Sequence, residues 1–353
     1  MKIKNQRNEI DTLDKKIIHL LSKRAKVSKK IGSIKRKLNK SIYAPDREKE
    51  INNNIKKINK GPISNESLSS IYREIMSSSF SLEKPLTIAY LGPKATFTNL
   101  AALHKFGPEV SYNASESITE VFLDVERGNS DYGVVPIENS IEGAVTHTLD
   151  MFMNSDLKIC AEIILDISHN LLGKTRIDKI KRVYSNPQVF GQCRIWLQVN
   201  LPRAELIEVS STTKAAQIAS KERGSACIAS TLAAKVYGLK IIAKEIEDSP
   251  HNITRFLVIS QNDVPRTKDD KTSIMFSIKD KVGALHDMLI PFKKHKINLT
   301  KIESRPSKKK AWDYYFYLDL SGHRSETKIK KAIKELDLKC KFLKVLGSYP
   351  RHE

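Results

Sequence analysis

The sequence predicts a multidomain protein: an all-α N-terminal region, an α/β middle region and an α+β, ferredoxin-like module at the C-terminus. Three observations carry this expectation. Residues 1–84 show helical periodicity with no alternating strand pattern, the pattern changes abruptly after Lys84-Pro85 to short β-rich runs between helical ones, and residues 271–353 read as βαββαβ. A chain of 353 residues is too long for one ordinary core and suits three expected domains, 1–84, 85–262 and 271–353.

In the first region Ile10, Leu13, Ile17, Leu20, Leu21, Val27, Ile31, Ile34 and Leu38 recur at three- and four-residue steps. One long amphipathic helix is therefore expected from Ile3 to Leu38, with Gly32 its only breaker. Pro45-Asp46 opens a second helix through Ile58, Gly61-Pro62 breaks it, and Ser64-Asn65-Glu66 caps a third that runs to about Leu82. Three such helices close little core by themselves, so pairing with a second copy, as a homodimer or higher homo-oligomer, is expected. In the middle region strands are expected at Leu86 to Leu91, Tyr132 to Pro136, Ile159 to Leu165, Val183 to Tyr184 and Arg255 to Ile259, with polar residues 261–271 as a linker. The last module reads strand (Thr272 to Ile278), helix (Ala284 to His295), strand (Leu299 to Ser304), strand (Tyr314 to Leu320), helix (Thr327 to Glu335) and strand (Lys341 to Leu346). Trp312, Tyr314, Tyr315, Phe316 and Tyr317 are expected to be mostly core by strand alternation.

Composition narrows the function classes. Hydrophobic residues at 40% and charged residues at 29% give a globular balance, and no run approaches the length of a membrane span. Cys160, Cys193, Cys227 and Cys340 lie far apart, which suggests neither a zinc site nor a disulfide framework and points to a reducing cytoplasm. The net charge of +21 raises nucleic-acid binding as a rival class, but the lysines are dispersed and no basic run is interleaved with stacking aromatics. A positive field still favours small dianionic substrates. No phosphate-loop or dinucleotide fingerprint is present, and no metal or other cofactor is expected.

On the first helix Arg24 and Lys35 are eleven residues apart, close to three turns, and share a face. Arg7 lies seventeen before Arg24, about 25 Å away, and suits a pocket in a partner copy better than the same pocket. Together with Asp46-Arg47-Glu48, Ser79 and Glu83, this set resembles the all-helical chorismate mutases. The resemblance implies that the cations among Arg7, Arg24, Lys35 and Arg47 clamp the carboxylates of chorismate, with one arginine from the other subunit, and that Ser79 also lies at the substrate. Lys35 and Glu83 would address the ether oxygen, and Glu48 the ring hydroxyl. Such an enzyme needs no nucleophile; it holds a compact conformer and stabilises charge at the breaking bond. Glu83 stands where some relatives carry Gln, so it must be protonated to donate, with a raised pKa. Ala44 stands where some relatives have an aspartate.

Further on, the segments Gly92-Pro93-Lys94-Ala95-Thr96-Phe97-Thr98, Pro136-Ile137-Glu138-Asn139-Ser140, Ser185-Asn186-Pro187-Gln188, Ser211-Thr212-Thr213 and Asn252-Ile253-Thr254-Arg255-Phe256 lie at expected strand ends, where ligands collect around an open sheet. Each is an ordinary loop signature alone. Their order and wording resemble prephenate dehydratase, which implies a two-lobed, periplasmic-binding-protein-like α/β fold with substrate in the cleft. Thr254 matches that family's catalytic threonine and is the expected donor to the departing hydroxyl. Thr98, Asn139, Ser140, Gln188, Ser211 and Thr212 are expected to hold carboxylates and the keto group, and Arg255 to do so or to brace its strand. Glu138 is expected as a buried orienting carboxylate or a bland one, and His169 as a packed or partly exposed histidine. Ala95 replaces a common glycine and fits only if its φ is negative; Asn99 stands where a histidine often occurs.

Val282-Gly283-Ala284-Leu285 and Glu303-Ser304-Arg305-Pro306 resemble the ACT domain of prephenate dehydratases. This implies a phenylalanine site formed by Gly283, Ala284, Leu285, Glu303, Ser304, Arg305 and Pro306. Across the chain the resemblance implies a bifunctional enzyme that takes chorismate and prephenate as substrates and phenylalanine as effector, with no nucleic-acid or membrane partner. The alternatives are a monofunctional dehydratase with a helical dimerisation arm, or a non-catalytic amino-acid sensor.

Overall fold

The computed structural model describes residues 2–38, 41–278, 282–306 and 314–352; Trp312 lies outside them. Two compact units are present, Met1–Thr87 with Lys105–Ser111, and Ile88–His104 with Tyr112–Glu353.

The helical unit holds α1 (Lys2–Lys37), α2 (Pro45–Ile58) and α3 (Asn65–Glu83). Pro45 opens α2 at a position where its missing N–H is harmless, and the Ser64 hydroxyl caps α3 by accepting from the Ser67 amide at 3.1 Å. Gly32 does not break α1. A Cβ there would sit 2.7 Å from Glu83 Cβ, so this glycine serves the close approach of α3 to α1 instead. Along α1 the apolar stripe stays open to solvent: Ile10, Leu13, Ile17, Leu20, Val27, Ile31 and Ile34 are all exposed.

The second unit begins with β1 (Thr87–Leu91), α4 (Phe97–Phe106), β2 (Ser111–Ser115), α5 (Ile118–Glu126), β3 (Tyr132–Asn139), β4 (Gly143–Ala144), α6 (Thr146–Asn154) and β5 (Lys158–Asp166). Then follow β6 (Asn170–Gly173), β7 (Arg182–Ser185), α7 (Pro187–Gln192), α8 (Arg194–Asn200), β8 (Glu205–Glu208), α9 (Thr212–Ala219), β9 (Ser225–Ala229), α10 (Thr231–Tyr237), β10 (Lys240–Ala243) and β11 (Ile253–Ser260). The strands form two sheets and hence two lobes. One runs β2-β1-β3-β11-β5 with β4 beside β3, and the other β10-β6-β9-β7-β8. The chain crosses between lobes at Ile167–His169 and returns at Lys244–Asn252, and the two crossings are tied by Ile167 N–H to Asn252 O at 2.7 Å and Ile246 N–H to His169 O at 2.9 Å.

The C-terminal module consists of β12 (Asp270–Ser277), α11 (Ala284–Lys294), β13 (Leu299–Pro306), β14 (Tyr314–Ser321), α12 (Thr327–Asp337) and β15 (Phe342–Pro350), with strand order β13-β14-β12-β15. One face of this antiparallel sheet packs on α11 and α12 through Phe276, Leu318, Met288, Phe292 and Leu336. The other face packs on the first lobe, where Met275, Tyr317, Leu346 and Tyr349 share a core with Ile159, Leu257 and Phe152. This shared core is why dehydratase-like and ACT-like regions, separate in sequence pattern, cluster as one unit. Tyr317 is buried, as alternation suggests, whereas Tyr314 is exposed at the strand's outer end. The linker is less open than its polarity suggests: Val264 is buried and Thr267 hydrogen-bonds Asp270.

Gly347 permits the contact between module and lobe. A Cβ on it would lie 2.8 Å from Ile159 N and closer still to the Ile159 carbonyl, both rigid backbone atoms. Gly347→Ala is therefore expected to destabilise the second unit by about 1–3 kcal/mol, the range for overpacking a core. A thermal melt monitored at that unit's transition checks this.

Candidate active sites

In the helical unit, the end of α3 faces the C-terminal part of α1. Arg24 Nη1 donates to Ser79 Oγ at 2.8 Å, and Ser79 Oγ donates to Ile75 O at 2.8 Å, so the serine aims the guanidinium. Lys35 Nζ donates to Ile42 O at 2.5 Å and lies 3.5 Å from Glu83 Oε2. Glu83 is buried, and its Oε2 has no hydrogen-bond partner among the described residues. Burial pushes its carboxyl above the ordinary carboxylate range although Lys35 and Arg24 pull the other way. The direction is the one a donor at this position requires. Glu48 accepts from Tyr43 Oη at 2.8 Å and pairs with Lys105 at 2.9 Å; Lys105 belongs to the short second segment of this unit and carried no motif in the sequence.

Two expected members stand apart. Arg7 is exposed, about 25 Å along α1 from Arg24. Arg47 does not join the cluster: it is exposed and pairs with Glu50 at 2.5 Å, because one step along α2 from Glu48 turns the side chain by about 100° to the solvent face. Ala44 precedes α2 as an N-cap with no side-chain bond, and Asp46 Oδ1 behind it is buried with no hydrogen-bond partner among the described residues.

In the second unit, Thr254 on β11 and Asn139 on β3 are register partners. Their hydrogen bonds have defined directions. Asn139 Oδ1 accepts from the amides of Ile141 and Glu142, at 2.9 and 3.0 Å, which fixes the amide flip. Its Nδ2 must then donate, to Asn252 Oδ1 and to Thr254 Oγ1, both at 2.8 Å. Asn252 Nδ2 donates in turn to Gln192 Oε1 at 3.0 Å, and Gln192 Nε2 to Glu142 Oε1 at 3.2 Å. Thr254 Oγ1 is an acceptor in this chain, so its own proton is free to be given away. Gln192 comes from the second lobe and Glu142 from the first, so the chain of bonds also joins the lobes across the cleft.

His169 is buried at the lobe crossing, with Nε2 2.8 Å from Gln192 Oε1. Burial pushes its pKa down, so it is a neutral imidazole donating to that oxygen. Asn252, Gln192 and Glu142 were missed as site residues. Asn252 lies inside a quoted motif, but nothing near Gln192 in sequence distinguishes it from a helix-surface glutamine.

Thr98 is buried at the start of α4. Ser211 caps α9 by accepting from the Lys214 amide at 3.1 Å, with Thr212 next to it, so both stand at a helix N-terminus whose dipole favours anions. Ser140 Oγ donates to His251 O at 2.7 Å and accepts from the Ile253 amide at 2.9 Å, which makes it a staple between loop and strand. Gln188, expected at the substrate, is an exposed residue of α7 on the turn before Gln192.

Arg255 does not face the cleft. Alternation along β11 turns it to the opposite side, where Nε meets Glu162 at 2.8 Å, Nη1 meets Asp319 at 2.6 Å and Nη2 meets Tyr349 Oη at 2.9 Å. All three nitrogens are engaged, which is the bracing alternative. Burial alone would raise the Glu162 carboxyl, yet Arg255 and Lys271 hold it below its usual range. Nor is Glu138 buried: its side chain is 40% exposed and lies 2.8 Å from Lys301.

Ala95 has φ +72°, against the expectation of a negative value. The left-handed conformation costs an alanine about 1–2 kcal/mol. It is held by Ala95 N–H to Asn99 Oδ1 at 2.9 Å and Ser230 Oγ–H to Ala95 O at 3.2 Å, with the methyl packed among Leu172, Ala215 and Ala233. Asn99 thus latches the first loop.

In the C-terminal module Gly283 caps α11 at φ +74°, with Ala284 buried and Leu285 exposed beside it. Glu303 and Arg305 alternate with exposed Ser304 and Pro306 on β13, and Arg305 reaches Asp150 of α6 at 3.4 Å.

Three family models match in order: chorismate mutase type II over residues 6–84, prephenate dehydratase over 88–264 and ACT domain over 272–338. The bifunctional chorismate mutase/prephenate dehydratase of Aquifex aeolicus is 52% identical over 354 residues, which covers 99% of this chain and 98% of that protein. The chain belongs to this bifunctional family. The Pseudomonas aeruginosa member is 45% identical over 99% of this chain and 98% of its own length. Among solved structures, the prephenate dehydratase of Arthrobacter aurescens in complex with L-Phe superposes with a TM-score of 0.71 at 32% identity, over 75% of this chain and 90% of that one. Among the described residues no helix is long and apolar enough to cross a membrane.

The raised Glu83 pKa gives a pH prediction for the mutase site. The fold favours the protonated carboxyl, so the contribution of Glu83 to stability is present in acid and lost as pH rises through its folded pKa. Mutase turnover should fall over the same interval, above the ordinary carboxylate range. Glu83→Gln keeps a donor at every pH and should flatten that limb, as initial rates of chorismate loss across pH would show.

Proposed function

We propose that the chain rearranges chorismate to prephenate in the helical unit and then converts prephenate to phenylpyruvate in the cleft of the second unit, with phenylalanine acting as feedback inhibitor through the C-terminal module. The observation that carries the dehydratase assignment is the directed hydrogen-bond chain that leaves the Thr254 proton free.

In the cleft, the carbon–carbon bond to the ring carboxylate breaks and its electron pair completes the aromatic ring as the ring hydroxyl departs. That hydroxyl must take a proton to leave as water. Thr254 supplies the hydrogen bond, and a water or neighbouring acid restores the proton, since a free threonine is a poor acid. Asn139 holds Thr254 in place; Thr98, Ser211 and Thr212 present hydroxyls and backbone amides to the substrate's anionic groups.

In the helical unit, Arg24 and Lys35 clamp the substrate and protonated Glu83 donates toward the ether oxygen. The open apolar face of α1, a helix of 36 residues and about 54 Å, is the surface for a second copy. Antiparallel pairing of two such helices brings Arg7 of the partner subunit to the cluster that its own chain cannot reach. A homodimer follows, and the reading is of a cytoplasmic enzyme.

Thr254→Ala, given chorismate, should accumulate prephenate, with dehydratase turnover lowered by about 10²–10⁴-fold and chorismate loss unchanged. Following both products in one assay checks this. Loss of both activities would sink the assignment of Thr254 to one step, and parental phenylpyruvate formation would remove Thr254 from the reaction.

A further inference from the structure

Two cross-strand pairs stand back to back in the first lobe. Asn139 and Thr254 meet toward the cleft, and the next register pair, Glu138 and Arg255, turns to the other face, where the C-terminal sheet lies. Residues of the module take up both. Asp319 and Tyr349 hold Arg255, and Lys301 Nζ lies 2.8 Å from Glu138 Oε2.

The two grips differ in kind. Arg255 is also pinned by Glu162 of its own lobe, so its position has support independent of the module. Glu138 is set between two cations, Lys301 at 2.8 Å and Arg255 at 3.7 Å. A shift of β13 that lengthened the first contact would leave the carboxylate nearer the second, so the two cations offer Glu138 alternative partners. Lys301 stands two and four positions before Glu303 and Arg305 on β13, on the same side of the strand as both. Its side chain is only 12% exposed, so the ion pair is shielded from solvent on the lysine side. Movement at Glu303-Ser304-Arg305-Pro306 therefore reaches Glu138 through one rigid strand, and Glu138 is joined by a single peptide bond to Asn139, the residue that orients Thr254.

We propose that the Glu138–Lys301 ion pair couples effector occupancy of the C-terminal module to the geometry of the Asn139–Thr254 pair, with Lys301 a positioning residue for the dehydratase reaction. The inference rests on the reading of phenylalanine as effector. It gives the module a route to the reacting strand through the back of the sheet, without any residue of the module entering the cleft. Coupling of this kind is a difference between binding and its consequence, so the two are measured separately.

The test uses the full chain with Lys301→Gln and Lys301→Arg. Phenylalanine binding is measured by titration calorimetry, its effect on prephenate turnover at saturation is measured on the same preparations, and prephenate turnover without phenylalanine, with the thermal transition of the second unit, serves as the folding control. In the parent, phenylalanine binds and inhibits. Lys301→Gln should bind it within about threefold of the parent while the inhibition at saturation weakens at least about fivefold, the lower end of ordinary coupling. Lys301→Arg, which keeps the charge, should retain parental inhibition. Equal inhibition of Lys301→Gln and parent would overturn the inference, as would loss of binding together with inhibition, since Lys301 would then belong to the module's fold or its ligand site. Failure of the parent itself to bind phenylalanine overturns the effector reading, and the coupling with it.

Discussion

Side chains on a β-strand alternate between its two faces, and the second unit is organised around one place where that alternation separates chemistry from support. At the adjoining ends of β3 and β11, Thr254 and Asn139 point one way and Arg255 and Glu138 the other. A one-residue slip of β11 would put a guanidinium in the cleft and a threonine against Asp319. Register is held by the buried charges. Buried Arg255 is met by Glu162 and Asp319, and Glu162 also by Lys271. Charges buried in this way give little net stability, because desolvation cancels much of their attraction. Their value is in register: a slip of β11 that took Arg255 from its buried carboxylates would cost about 3–5 kcal/mol.

The same constraint explains why the C-terminal module and the two lobes cluster together. A ferredoxin-like sheet normally has one face covered by its helices and the other in need of cover. Here the cover is the back of the catalytic sheet, through Met275, Tyr317 and Tyr349. The module is thus part of the wall behind the reacting strand. In the cleft, by contrast, few charges are used. Amides and hydroxyls whose donors and acceptors are fixed by backbone partners give Thr254 its direction, and directed neutral hydrogen bonds hold a hydroxyl without altering the charge that the substrate meets.

The helical unit follows a different rule. Its cations gather near the α1–α3 contact, where Gly32 lets Glu83 approach the α1 backbone, and the burial that results pushes the Glu83 carboxyl above its ordinary range. Its remaining apolar surface along α1 is left exposed among the described residues.

Much of this was open to reading in one dimension. The period of apolar residues in α1 follows from 3.6 residues per turn, the cap at Ser64 follows from a side chain that satisfies a free amide, and the βαββαβ order follows from a change of period. The motifs around Thr254, Asn139 and Glu303 pointed to the family because they are contiguous. What the linear pattern could not contain was decided by contacts between distant residues: Asn252 with Gln192 at a separation of 60, Arg255 with Asp319 at 64, Lys301 with Glu138, and Gly347 with Ile159. The choice between Arg255's two expected roles, and the place of Arg47, were decided in the same way. Their chemistry suits an anionic substrate, but the direction of a side chain depends on the face its strand or helix turns toward the rest of the fold. Ala95 shows this at the backbone itself, where Asn99 and Ser230 hold a left-handed alanine that its own preferences oppose. The sequence by itself determined the helices, the order of the modules and the contiguous motifs, because these depend on neighbours along the chain. Only the tertiary structure decided which charged groups face substrate and which brace the sheet, because that depends on what lies across the gap.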